Sequence, residues 1–327
     1  MPAKPQALII MSSARTLKLA EPPDHPEVPT GFYLNELAKF IQEFGGEYEF
    51  VLATPDGNQP QLDINGFSLW LHASDPQAAA QATAELAPAK DAAALRERFP
   101  EAHARREAEV AAAAPVLGRL DVSEPLPGTD WEARIYRAEL EKALADLPTR
   151  PYLSLRELVA MDRDPQNSFS FGDVAFMHMP GGHAPMVDSV DDPYLGEVLN
   201  RLNEERVLAS LICHGPAALL SSRYRVAADG STVETASRFT GARITVLPKN
   251  VERYVLEQGY LKVPGHTTRL AFNLDDTLSD AGFDVQPSEF GEILVVLDER
   301  TRLLTGNGPA ACGRQVETLH AWLNTHT

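Results

Sequence analysis

A cysteine followed directly by a histidine, where an apolar run gives way to Gly-Pro, is the first place in this chain where chemistry can be read. The run is Val207-Leu-Ala-Ser-Leu-Ile-Cys213-His214-Gly215-Pro216-Ala-Ala-Leu-Leu220. Val207 to Ile212 has the length and apolarity of a buried strand, and Gly-Pro marks the turn into a helix. A side chain at such an elbow is pushed out of the sheet, beside free backbone N–H groups at the positive end of a helix dipole. That setting lowers a thiol's pKa and favours the nucleophilic thiolate. The other reading is a plain buried cysteine. Pro180-Gly181-Gly182-His183 offers small residues whose N–H groups could approach a substrate oxygen, with the N–H of His214 as the second donor of an oxyanion hole; the other reading is a tight turn. Glu36, at the end of Gly31-Phe-Tyr-Leu-Asn-Glu36, is either a surface acid suited to a helix start or a carboxyl aimed at the thiol.

The elements that must position these residues alternate. Gln6 to Met11 reads as a buried strand. A helical pattern runs from Gly31 through Phe32, Leu34, Leu37, Phe40, Ile41 and Phe44 to a Gly45-Gly46 cap. Tyr48 to Ala53 is a second strand, closed by the turn Pro55-Asp56-Gly57-Asn58. Residues 73–150 are rich in alanine and charge, with helices expected over 76–86, 92–117 and 131–147, and read as a helical insertion in one α/β domain spanning 1–327. This insertion is either a solvated decoration or a lid over the site. The core resumes with a strand over 173–179, a helix over 194–203, the Cys213 strand and its helix, and a strand over 243–247. A helix over 267–281, a closing strand pair at 293–297 and 302–305, and a last helix over 309–324 complete it. The pattern is that of a doubly wound, three-layer α/β protein with a mostly parallel sheet, whose site lies at the carboxyl ends of the strands.

Composition narrows the function classes. With 46 acidic against 29 basic residues the formal charge is −17, and no Lys/Arg cluster offsets it. Such a surface repels phosphate backbones, so neither nucleic acid nor an anionic membrane is an expected partner. No apolar run has the length of a membrane span. Met1 to Ala14 reads as a strand rather than a signal peptide. Two cysteines, Cys213 and Cys312, make no disulfide framework, and a reduced, cytoplasmic setting is expected. There is no Gly-x-Gly-x-x-Gly or P-loop, and no organic cofactor is expected.

Together, Gly31-Phe32 through Glu36, Ala53-Thr54-Pro55-Asp56-Gly57 with Asp63, Pro180-Gly-Gly-His183 with Asp188, and Ile212-Cys213-His214-Gly215-Pro216-Ala217-Ala218 resemble the ThiJ/PfpI superfamily. Gly259-Tyr260 with Pro264-Gly265-His266, and Leu303 through Ala311, are similar to its branch of heat-shock chaperones with glyoxalase III activity. Each motif alone is weak, but their order along the chain is specific. The resemblance implies the flavodoxin-like sandwich of class I glutamine amidotransferases. It implies Cys213 as nucleophile, His214 as its partner, Glu36 as the acid that hydrogen-bonds the thiol, and Glu252 in Pro248-Lys-Asn-Val-Glu252 as the carboxylate that orients His214. His183 and His266, in motif loops, are expected along the pocket. Some members of the branch bind a metal through two histidines and a carboxylate. Here Gln42 to Glu47 contains no histidine and His72 stands alone, so no metal is expected. Cys312 reads as a structural thiol, His178 as an interior histidine, and His25, His103, His320 and His326 as surface or loop residues.

The implied activity is glutathione-independent conversion of methylglyoxal or a related 2-oxoaldehyde to a 2-hydroxy acid, by a homodimer acting on a small aldehyde. The alternatives are amide, peptide or deglycation chemistry at the same thiol, a holdase chaperone using the alanine-rich helices, or a redox sensor.

Overall fold

In the computed structural model, which describes residues 4–326, the apolar runs stack side by side as a seven-stranded sheet. Its strands are β1 (Gln6–Ile10), β2 (Glu49–Thr54), β3 (Leu153–Ser154), β4 (Val174–Met179), β5 (Leu208–Ile212), β6 (Val295–Asp298) and β7 (Leu303–Gly306). The order is β6-β7-β5-β4-β1-β2-β3, parallel throughout except for the β6–β7 pair. β5 is buried along its whole length, as expected for a strand covered on both faces. The observed fold is the flavodoxin-like α/β sandwich.

The main helices are α1 (Asn35–Phe44), α2 (Pro76–Leu86), α3 (Ala92–Arg98), α4 (Pro100–Leu117), α5 (Trp131–Ala145), α6 (Leu155–Arg163), α7 (Pro193–Glu204), α8 (Lys249–Glu257), α9 (Leu274–Asp280) and α10 (Cys312–His326). Leu37, Phe40, Ile41 and Phe44 form the buried stripe of α1. α1 and α10 cover one face of the sheet with Phe40, Phe44, Leu319 and Leu323, while α6 and α7 cover the other with Leu158, Leu195, Val198 and Leu202.

Several elements differ from the sequence expectation. The first helix begins at Asn35 rather than Gly31, because Phe32 pairs with a strand instead: its N–H donates to Gln61 O and its carbonyl accepts from Asp63 N–H. The helix expected over 92–117 breaks at Phe99, since Pro100 has no N–H to continue it. The Gly215–Arg223 segment after Cys213 is a 3-10 helix. Only Arg243–Ile244 of the strand expected over 243–247 is extended, and it pairs with Asp284–Val285 outside the main sheet. In place of a helix over 267–281 there is a two-residue strand, Arg269–Leu270, followed by α9. β3 and α6 were not foreseen; the Ser154–Glu157 capping box starts α6.

The insertion is not a solvated decoration. Val110, Ala113, Leu117, Ala133, Tyr136, Leu140 and Leu144 share one core with Leu34 and with Leu37 and Ile41 of α1. At its centre Arg106 is fully buried, donating to both Glu132 oxygens at 2.7 and 2.8 Å and to Phe67 O, with its guanidinium 3.6 Å from the Tyr136 ring centroid. His103, expected at the surface, is buried beside it, with Nδ1 3.2 Å from Arg106 Nη2. Arg106→Ala strands the buried Glu132 charge and is expected to lower unfolding stability by about 3–5 kcal/mol. Urea denaturation checks this, and replacing both partners by Met and Leu should recover much of the loss.

Candidate functional site

Strand β5 delivers Cys213 into a backbone conformation that only a sharp elbow requires, φ +61°. Two main-chain hydrogen bonds tie the elbow down: the Cys213 N–H donates to Gly306 O at the end of β7, and the Leu247 N–H donates to Cys213 O. The second bond brings the segment that opens α8 directly onto the cysteine. Glu252 lies in the first turn of α8 and is buried, not an exposed loop acid.

Glu252 receives two imidazoles. His214 Nε2 lies 2.7 Å from Oε2, and His183 Nε2 lies 3.0 Å from Oε1. Burial opposes ionisation of Glu252, but the two histidines outweigh it and hold the carboxyl well below the usual carboxylate range. An ionised carboxylate only accepts, so both rings carry their proton on Nε2. His214 Nδ1 is then a free acceptor, and it faces Cys213 Sγ at 3.5 Å. Burial and the charge at His183 depress the basicity of His214, against the pull of Glu252.

Glu36, in the first turn of α1, is buried near the same thiol. Its Oε2 accepts the Gly181 N–H at 2.7 Å. Complete burial raises its pKa to about 8, the Gly181 N–H and the Cys213 thiol pulling against that rise. Glu36 is therefore a neutral acid near neutral pH, able to donate to a developing oxyanion or thiolate. The native chain keeps a proton between pH 4.5 and about 8 that the unfolded chain releases, so Glu36 costs about 1.4 kcal/mol per pH unit as pH rises through that window. Glu36→Gln is expected to remove that slope, read as the wild-type minus variant difference in urea midpoints from pH 5 to 9.

The thiol itself departs from the sequence expectation. Burial first, then the Glu36 carboxyl, push the Cys213 pKa well above its ordinary value, opposed by the Gly182 N–H. The expected helix dipole is replaced by the 3-10 turn at Gly215, and the side chain is 3 % exposed, so desolvation wins. The resting group is therefore a thiol, and the nearest acceptor for its proton is His214 Nδ1 at 3.5 Å. The oxyanion role of the glycines also divides: the Gly181 amide is committed to Glu36, and the Gly182 amide faces sulfur. Gly181 must lack a side chain, since a Cβ there would stand 2.7 Å from the Cys213 Cβ and 2.8 Å from His214 N.

Of the remaining expected residues, His183 faces Glu252 and Tyr260, whereas His266 is exposed on a turn, its N–H donating to Val263 O. His178 is interior, stacked on Phe40 with its pKa pulled down to about 3 by burial. Cys312 is buried, with Sγ 3.4 Å from Glu36 O. His72 is buried with Nδ1 2.9 Å from Glu109 Oε2, a pair rather than a three-donor set. Among the described residues, the one group with ligand-like spacing is His183, His214 and Glu252, and its facing atoms already satisfy one another as hydrogen bonds.

No family model matches the chain. A stretch of 142 residues, 42% of this chain and 42% of its relative, is 32% identical to a protein/nucleic acid deglycase HchA of Staphylococcus aureus. The match thus spans less than half the length of that curated relative. The structure is similar to the Rapid Encystment Protein 24 KDa of Francisella tularensis, with a TM-score of 0.54 and 14% identity over 98% of this chain and 99% of that one. It is also similar to glyoxalase III from Candida albicans, with a TM-score of 0.49 and 15% identity over 97% and 96% of the two chains. The chain shares its fold with the Francisella tularensis protein. Three buried residues not expected at the site adjoin its histidines: Tyr33 and Tyr260, and Asp63 as an acid raised to about 6 by burial. The Gly259-Tyr260 motif was the available signal for Tyr260.

Proposed function

We propose that this chain is a glutathione-independent glyoxalase acting on methylglyoxal or a related 2-oxoaldehyde. The observation that carries the reading is Cys213 Sγ facing the His214 Nδ1 acceptor at 3.5 Å, with the buried Glu36 acid nearby on the Gly181 N–H. The Cys213 proton passes to His214 as sulfur bonds to the aldehyde carbon, and the carbonyl oxygen is protonated to give a hemithioacetal. Removal of the proton on that carbon yields an enediol, and reprotonation at the neighbouring carbon gives the thioester of the 2-hydroxy acid. Glu36 and His214 are the groups placed to exchange those protons. Water then cleaves the thioester, releasing the acid and the thiol, so the net change is addition of one water.

The name of the Staphylococcus aureus relative favours a second reading, hydrolysis of early aldehyde adducts on amines by the same thiol. A holdase role draws less support, because Ala79, Ala82, Ala102 and Ala113 of the insertion are packed inward. The deciding experiment is turnover of methylglyoxal by purified protein without glutathione, following lactate. Lactate formation supports the lyase reading. Its absence with the thiol reduced, together with release of amine from a hemiaminal adduct, replaces it by the hydrolase.

A further inference from the structure

Beyond Glu252 the hydrogen-bonded chain does not stop at His183. Tyr260 Oη lies 3.0 Å from His183 Nδ1, and the Tyr33 hydroxyl donates to Tyr260 Oη at 2.9 Å. Six side chains from five separate segments thus run without a break from Tyr33 through Tyr260, His183, Glu252 and His214 to Cys213. The Tyr260 segment is held from outside the α/β core. Gly128, in the insertion turn before α5, packs so closely on it that a Cβ there would stand 2.5 Å from Gly259 O and 2.8 Å from Tyr260 Cα. Leu126 of the same turn shares an apolar cluster with Leu256, Leu261 and Val263, which flank Tyr260. Thr129 fastens the turn to the core, its hydroxyl donating to Asn65 Oδ1, while Asp63 Oδ1 accepts from Asn65.

We propose that Tyr260 is a positioning residue of the thiol site: anchored by the helical insertion through Gly128, it seats His183 on one oxygen of Glu252 and so decides how His214 shares that carboxylate. The proposal rests on the reading of Cys213, His214 and Glu252 as the reacting group. A phenol suits the post because it serves both states of His183, donating to a neutral Nδ1 or accepting from Nδ1–H of the imidazolium. The groups that face the pair are few. His183 faces Glu252, Tyr260 and His214, whose ring centroid is 4.3 Å away, with Asp63 and Glu36 at longer range. His214 faces Cys213, Glu252 and His183. Burial opposes a charge on His183, but Glu252, with Asp63 adding to it, outweighs it and raises its basicity, so His183 is the ring that takes the first proton. Removing the Tyr260 hydroxyl leaves an imidazolium N–H without its acceptor. His183 then becomes less basic, its charge no longer opposes protonation of His214, and His214 becomes more basic.

The test is a pH titration of ¹³C-labelled histidine rings in the full chain, with His183→Asn and His214→Asn to assign the two resonances. In the wild type His183 is expected to titrate above His214. Tyr260→Phe should draw the two together, each by roughly half to one pH unit, and move the acid limb of kcat/KM upward by a similar amount. Gly128→Val should do the same with Tyr260 intact, and if that variant does not fold, Tyr260→Phe decides alone. Unchanged His183 and His214 titrations in folded Tyr260→Phe overturn the proposal. The titrations need no substrate, so a wild type that turns over no aldehyde would refute the glyoxalase reading and still leave this one decided.

Discussion

Cys213→Ala is expected to lower kcat/KM toward 2-oxoaldehydes by about 10⁴-fold or more, because no other group can form the carbon–sulfur bond on which the remaining steps depend. Glu36, His214 and Glu252 stay in place in that variant, so residual binding of substrate should survive and KM should change less than kcat. Cys213→Ser separates nucleophile chemistry from packing. A hydroxyl fits the same space, but His214, whose basicity is depressed, is too weak a base to ionise it. Stability reads out differently. Cys213 holds φ +61°, a conformation costing roughly 1–2 kcal/mol for a residue with a Cβ, and alanine retains that strain while glycine does not. Cys213→Gly should therefore be inactive yet melt no lower than Cys213→Ala. Wild-type rates in Cys213→Ala would remove the thiol from the reaction altogether.

Glu252→Gln carries the second large effect, expected at about 10³–10⁴-fold in kcat/KM, by the argument that a wrong imidazole tautomer disables a base. The carboxylate accepts from two Nε2–H groups at 2.7 and 3.0 Å. An amide of the same shape presents one acceptor and one donor, so one of the two rings must turn its proton to Nδ1. If His214 yields, its Nδ1 no longer accepts from Cys213; if His183 yields, His214 still loses the carboxylate charge that supports its basicity. The pH profile distinguishes this from a general loss of structure, since it loses the limb set by the two histidines while the melting temperature stays close to wild type. A Glu252→Gln variant with an unaltered profile would show that the carboxylate does not control His214.

The elbow at Cys213 was legible in the chain because its signal is local. An apolar strand, a single turn and Gly-Pro lie within a few residues of each other, and the same holds for Pro180-Gly181-Gly182 and for the stripe of α1. Parallel order followed from the alternation of those runs. Boundaries were less legible where the competing partner is distant. Phe32 belongs to a strand pairing because Gln61 and Asp63 lie beside it, and Leu153–Ser154 is a strand only because β2 offers an edge. Glu252 became visible through a resemblance alone. Nothing in Pro248-Lys-Asn-Val-Glu252 reveals that the Leu247 N–H donates to the carbonyl of Cys213.

What the sequence determined by itself is the set of reactive groups and the strand ends that carry them. The tertiary structure decided their protonation. Dipole arguments from the sequence place a thiolate at the elbow, whereas the folded chain buries the thiol beside Glu36, raises both groups and leaves His214 to take the proton. It also made the insertion a wall of the core, with one turn against Tyr260, rather than a solvated ornament. The reason is common to both. Desolvation and shared hydrogen bonds depend on everything packed around a group, and those neighbours come from distant segments, 227 residues apart for Tyr33 and Tyr260.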